Sequence, residues 1–180
     1  MRNACLLLVF AVFLVGCAQP PVNRDAASPL SVRAIDIERY DGIWYEIARF
    51  PNGFEKNCAG VTAEYTLRAD AKVTVLNTCR KGGLDGKVET AKGVARVVEP
   101  STNAKLKVSF FGPFEGDYWV LDRAEDYSWA LVGEPRGRYL WMLSRTPQIG
   151  EGLKADLLSR LTARGYNTSP LEWTAQPVAR

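Results

Sequence analysis

The chain has 180 residues, 47% of them hydrophobic, with 23 Lys and Arg against 20 Asp and Glu and no histidine. That suits one domain with a sizeable core, and a formal charge of +3 without a basic run does not make a nucleic-acid footprint, which needs clustered Lys and Arg. The missing histidine removes histidine-dependent triads, imidazole general bases and imidazole ligation of metal or haem.

The N-terminus is patterned as an address. Arg2 precedes an apolar run over residues 6–15 that is too short to span a bilayer and reads as a secretory signal peptide, so residues 1–16 are expected to be removed. Leu14-Val15-Gly16-Cys17 resembles the bacterial lipobox, whose cysteine becomes the first mature residue and carries a diacylglyceryl thioether and an N-acyl group such as palmitate. Each buried methylene adds about 0.8 kcal/mol and two chains already suffice for stable anchoring. The plainer alternative is an unmodified thiol at an ordinary cleavage site. Ala18, in place of Asp, follows Cys17 and by the same resemblance favours the outer membrane. Residues 17–33 are rich in Pro, Ala, Ser and Asn without an apolar period and read as a flexible lipidated tether, leaving the folded domain over residues 34–180.

Residues 41–50 alternate as a first strand. Trp44, Glu46, Ala48 and Phe50 share one parity and Ile43, Tyr45, Ile47 and Arg49 the other, and both sets are mostly apolar. Such a strand must be covered on both faces, as in a barrel wall with an interior on one side and a helix on the other. After a loop over residues 51–60, two further alternating runs form a hairpin around residues 69–71. Keeping the apolar residues on one face pairs Leu67 with Val73 and Tyr65 with Val75, which brings Cys79 close to Val61 and to Cys58 three residues earlier. Parity alone puts Cys58 on the wrong face, but a β-bulge at Gly60 corrects it. In an exported chain these two cysteines are expected to form a disulfide, closing a loop of roughly twenty residues and contributing about 3 kcal/mol.

Residues 87–98 alternate with Ala91, Gly93, Ala95 and Val97 on one parity, small residues that leave volume inside a barrel. Leu106, Val108 and Phe110 then face opposite to Lys105, Lys107 and Ser109. Three more strands over residues 116–123, 127–133 and 138–145 bring the number to eight, enough for a closed antiparallel barrel holding one small ligand. Counting by itself does not separate a barrel from a sandwich. Leu153, Leu157, Leu158 and Leu161 change to helical spacing before a capping Gly165, and a short strand around residues 171–174 follows.

Gly42-x-Trp44 with Tyr45-Glu46-Ile47-Ala48-Arg49 resembles the first signature of the lipocalins, residues 116–122 the second and residues 139–147 the third. The resemblance is strongest to bacterial outer-membrane lipoprotein lipocalins and their apolipoprotein-D-like relatives. It implies an all-β fold, the eight-stranded antiparallel up-and-down calyx with one C-terminal α-helix packed outside and a short final strand. It makes Gly42, Trp44, Asp117, Tyr118 and Arg145 structural, with Arg145 over the Trp44 indole at the closed end. The second signature commonly starts with threonine, where this chain has Gly116.

The function this implies is storage or transport of a small apolar ligand, a fatty acid, lysophospholipid or similar lipid, by a protein anchored to the periplasmic side of the outer membrane. Cavity residues expected from parity are Glu46, Ala48, Phe50, Tyr65, Val75, Ala91, Ala95, Val108 and Phe110, each of which could equally be core filling. Glu46 on an inner face needs a partner or a raised pKa, and could orient a head group or pair with a buried base. No catalytic residue, metal or cofactor is expected, and the oligomeric state is open. The alternatives are a lipocalin-fold enzyme, for which a lone reactive cysteine would be needed, and a purely structural envelope lipoprotein.

Overall fold

In a computed structural model that describes residues 22–178, the alternating stretches form eight antiparallel strands. They are β1 (Gly42–Arg49), β2 (Cys58–Leu67), β3 (Val73–Lys81), β4 (Lys87–Glu99), β5 (Lys105–Phe111), β6 (Phe114–Arg123), β7 (Trp129–Gly133) and β8 (Leu140–Ser144). Neighbours in sequence are neighbours in the sheet, and β1 pairs with both β8 and β2, so the barrel closes. Helix α2 (Glu151–Ala163) packs outside, and a ninth strand, β9 (Glu172–Trp173), lies against β1. The calyx, external helix and short final strand all match the expectation from sequence.

Up-and-down topology sends alternate loops to opposite ends. Residues 50–57, 82–86, 112–113 and 134–139 form one rim, which is the mouth. Residues 68–72, 100–104 and 124–128 form the other, which is closed by a helical turn that the sequence reading missed, α1 (Ile37–Tyr40). Asp36 caps it by accepting from the backbone N–H groups of Glu38 and Arg39, at 2.9 and 3.3 Å.

Two apolar cores follow from the two apolar faces of the wall. Inside the barrel Trp44, Tyr65, Val75, Leu106, Val120 and Leu143 pack over α1 through Tyr40. Between wall and helix, Leu157 and Leu161 of α2 are fully buried against Ile47, Phe50, Leu121, Leu131 and Met142. The leucine stripe of α2 is thus an internal contact.

The alternation of β1 breaks once. Opposite β8, Glu46 pairs with Leu143 and Ala48 with Met142, leaving Ile47 as an extra residue. A bulge inverts the parity of everything after it. Ala48 and Phe50, expected in the cavity, therefore turn outward into the core beneath α2, where the Phe50 ring lies 6.1 Å from that of Tyr166. The same inversion brings Arg49 inside next to Glu46.

The tether expected over residues 17–33 is shorter than its composition implies. From Asn23 onward the chain is docked: Asn23 donates to the Gly137 carbonyl at 3.0 Å, Asp25 to that of Gly165 at 2.9 Å and Arg33 to that of Val120 at 3.0 Å. The sequence reads as a linker because its docking is scattered over backbone hydrogen bonds, two arginines and the isolated Leu30 and Val32, with no apolar period. Residues 1–21, which contain the expected signal peptide, Cys17 and the start of the tether, lie outside the described residues.

The seam of the barrel is unusual. β1 meets β2 only from Gly42 to Tyr45. Beyond that the gap is filled by residues 174–176: Thr174 donates to the Ile47 carbonyl at 3.0 Å and Gly60 to that of Ala175 at 2.7 Å. The Gln176 side chain then donates to the carbonyls of both Glu46 and Val61, at 2.8 and 2.7 Å.

Candidate functional site

The barrel encloses a cavity of about 880 Å³, within the range that holds one small ligand. Its side walls carry Val73, Val75, Ala95, Leu106, Val108 and Leu143, one from each turn of the alternation. The expected residues Tyr65, Val75, Ala91, Ala95, Val108, Phe110 and Glu46 all face it, whereas Ala48 and Phe50 do not. Not all of the volume expected from small residues is free. A Cβ on Gly93 would stand 2.8 Å from the Phe110 ring, so the space left by that glycine is taken by Phe110.

Near the closed end three tyrosines share their hydroxyls. Tyr118 Oη lies 2.9 Å from that of Tyr40 and 2.8 Å from that of Tyr65. Burial pushes all three hydroxyls above their ordinary range, so they remain protonated. Three hydroxyls bonded to one another leave donors and acceptors only partly used. Tyr118 was expected from its signature to be structural, and Tyr40 was not singled out at all. A tyrosine at the end of a run opened by an Asp cap was the available clue.

The wall nearer the mouth holds a buried charge cluster. Arg49 Nη1 donates to Glu46 Oε1 at 2.8 Å, and Nη2 reaches the Glu55 carbonyl at 3.1 Å and Glu172 Oε2 at 3.0 Å. Trp141 Nε1 donates to Glu55 Oε2 at 3.2 Å, and Asn52 also holds that carboxylate. Glu46 is 2% exposed and accepts from the Thr174 hydroxyl. Burial first, then the Glu55 carboxylate, push the Glu46 carboxyl up to about 8 against the opposing effects of Thr174 and Arg49. Of the roles open to Glu46, pairing with a buried base is the one its contacts satisfy. Phe54, Tyr139 and Trp141 form an aromatic ledge at the same end, with Tyr139 and Trp141 stacked at 5.9 Å, and exposed Arg136 stands on the adjoining turn.

The disulfide joins Cys58 to Cys79 with Cα atoms 5.4 Å apart. The β2–β3 register pairs Leu67 with Val73 and Tyr65 with Val75 and shifts between Ala59 and Thr62, the bulge at Gly60 that the pairing needs. At the closed end Gly42 has a φ of +94°, and a Cβ there would lie 3.4 Å from Arg145 Nη1. Glycine at that point removes the strain of the positive φ, while the space beside Arg145 would just admit a Cβ. Asp117 pairs with Lys107 at 2.8 Å on the partly exposed part of the wall.

Residues 35–176 match the family described as "Lipocalin-like domain". Over 178 residues the chain is 41% identical to the outer membrane lipoprotein Blc of Vibrio cholerae, covering 97% of this chain and 99% of that protein. It is 32% identical over 170 residues to apolipoprotein D of Mus musculus, covering 89% and 82%. Among solved structures, insecticyanin of the tobacco hornworm Manduca sexta superposes with a TM-score of 0.65 at 21% identity, covering 89% and 87% of the two chains, a likeness of fold.

Proposed function

Because the chain belongs to the lipocalin family, we propose that it binds a fatty acid, lysophospholipid or similar lipid in its barrel and works as a lipid-anchored protein of the outer membrane. The observation that carries this reading is the cavity of about 880 Å³ with an apolar waist. Three tyrosine hydroxyls gather near its floor and a charged cluster towards its mouth. An acyl chain suits the waist, and its polar head suits the mouth, where Arg136 is one of the exposed cations. The activity assigned is binding. Relatives named as outer membrane lipoproteins support the location, and the lipobox at Cys17 supplies the attachment.

Native mass spectrometry of the protein extracted from its own membrane should show one bound lipid, and titration of delipidated protein with a fluorescent fatty acid should saturate near one equivalent. Absence of saturable uptake would remove the binding reading. Separately, Cys17→Ala should move the protein to the soluble periplasmic fraction. Persistence of that variant in membranes would remove the anchor.

A further inference from the structure

The chain path and the surface of the mouth together say which way the barrel stands. The first described residues enter the fold at the mouth rather than at the closed end: Asn23 is bonded to Gly137 in the β7–β8 turn, and Arg24 bridges to Tyr166 beyond α2. Val22, 54% exposed, is thus five residues from Cys17. Five residues reach at most about 18 Å even when fully extended. A lipid on Cys17 therefore holds this rim, and not α1 at the far end, next to the bilayer surface.

The rim is built to meet that surface. The β5–β6 hairpin tip projects Phe111 and Phe114, 78% and 79% exposed, the most exposed large apolar side chains among the described residues. Phe54, 60% exposed, stands on the β1–β2 loop of the same rim. The two phenylalanines pair with each other across a two-residue turn, at the lip of the cavity, and at this exposure bury little of their rings in the core. Lys56 and Arg136 are exposed on loops of the same rim and Lys87 at the start of β4, against one exposed acid, Asp85, in the 82–86 turn. Glu115, the acid beside Phe114, is neutralised by Arg96 at 2.6 Å. Apolar tips flanked by cations match the acyl boundary and anionic head groups of a phospholipid leaflet.

We propose that the mouth faces the leaflet carrying the Cys17 anchor and that Phe111 and Phe114 insert into it, so that lipid passes between leaflet and cavity without crossing water. This rests on the anchored, lipid-binding reading above and specifies its geometry. The ring that inserts first is the one at the mouth, and the closed end points away from the membrane.

The test uses full-length lipidated protein in vesicles of phosphatidylethanolamine and phosphatidylglycerol. Cys17 is acylated and Cys58 is bonded to Cys79, so Pro113→Cys at the mouth and Ala69→Cys at the closed end each offer one free thiol for a fluorophore. Flotation with the vesicles establishes the anchor; failure to float overturns the anchored reading itself. In floating protein, lipids carrying a quencher should quench the Pro113→Cys probe and leave the Ala69→Cys probe bright. Equal quenching, or stronger quenching at Ala69→Cys, overturns the orientation while leaving lipid binding intact. In the Phe111→Ser, Phe114→Ser double variant, transfer of a fluorescent fatty acid from vesicles should slow about tenfold or more, since burial of each ring shifts an equilibrium by at least that order. Far-UV circular dichroism and denaturant unfolding that match the parent protein show that the variant is folded. Unchanged vesicle transfer overturns the insertion. A dimer of the soluble Cys17→Ala protein that the double variant abolishes would give the phenylalanines to a second copy and also overturn it.

Discussion

Arg145 sits with its guanidinium carbon 3.9 Å from the centroid of the Trp44 indole, and donates to the carbonyls of Arg39, Asp41 and Ile43 at 2.8–2.9 Å. The indole in turn donates to the Tyr40 carbonyl at 2.9 Å. One side chain at the end of the last barrel strand thus holds α1 and the start of the first strand shut. Arg145→Ala should reduce stability by about 1–4 kcal/mol, since it loses the cation–π contact and leaves three carbonyls to water or to nothing. Lipid uptake in the surviving fold should be kept, because ligand enters from the other end. Denaturant unfolding paired with fatty-acid titration measures both. Unchanged stability with abolished uptake would mean that the entrance has been assigned to the wrong end.

Asp122 is 2% exposed and is the acceptor of three arginines: Arg33 from the docked N-terminal segment at 3.3 Å, Arg160 from α2 at 3.1 Å and Arg164 from the cap of α2 at 3.0 Å. The arginines are partly solvated, so losing the carboxylate frees them to water instead of stranding them. Asp122→Asn should therefore destabilise by about 1–3 kcal/mol, below the cost of breaking a fully buried pair. It should also increase hydrogen exchange in residues 23–33 and in α2 relative to the barrel interior. Exchange raised uniformly across the barrel would count against a local clamp.

The raised Glu46 carboxyl makes stability depend on pH. Its folded value of about 8 lies above the ordinary 4.5, so between those limits the folded state holds a proton that the unfolded state has released. The contribution is complete below about pH 4.5 and is lost as pH rises through 8. Unfolding free energy should thus fall by about 1–4 kcal/mol between pH 5 and pH 8.5, and Glu46→Gln should flatten the fall. Urea titrations at the two pH values test it. An equal fall in the variant would place the titration elsewhere.

Replacing Cys58 and Cys79 together by serine should cost about 2–4 kcal/mol, for a loop spanning 21 residues. The bridge sits at the mouth end of the β2–β3 ladder, which stays paired from Thr62 to Leu67 without it, so the double variant should still fold and still take up fatty acid at 25 °C. Loss of uptake at full helical and sheet content would show instead that the bridge shapes the mouth.

Where period and pairing were regular, the sequence was readable: the β2–β3 register follows from apolar parity, and the disulfide follows once the glycine at position 60 is read as a bulge and the chain as exported. The bulge at Ile47 was harder, since neither glycine nor proline marks it. Its clue was electrostatic. Glu46 and Arg49, three residues apart, fall on opposite faces of a regular strand, each leaving a charge among apolar neighbours. Only an extra residue between them brings the pair together at 2.8 Å and at the same time sends Ala48 and Phe50 outward. The tyrosine cluster was unreadable for a different reason. Tyr40, Tyr65 and Tyr118 are far apart in sequence, and only closure of the barrel joins their hydroxyls.

The incomplete pairing of β1 with β2 makes the wall depend on a segment outside it. All eight staves can be in place and the wall near the mouth is still open, because the gap beside Glu46 and Val61 is caulked by Thr174, Ala175 and Gln176. That segment lies outside the barrel strands, after the helix in chain order. A tight side wall therefore depends on residues that are not staves. Without residues 174–176 a lipid held inside would have a side exit, and a chain clipped before them would be a leaking cup with its walls still standing.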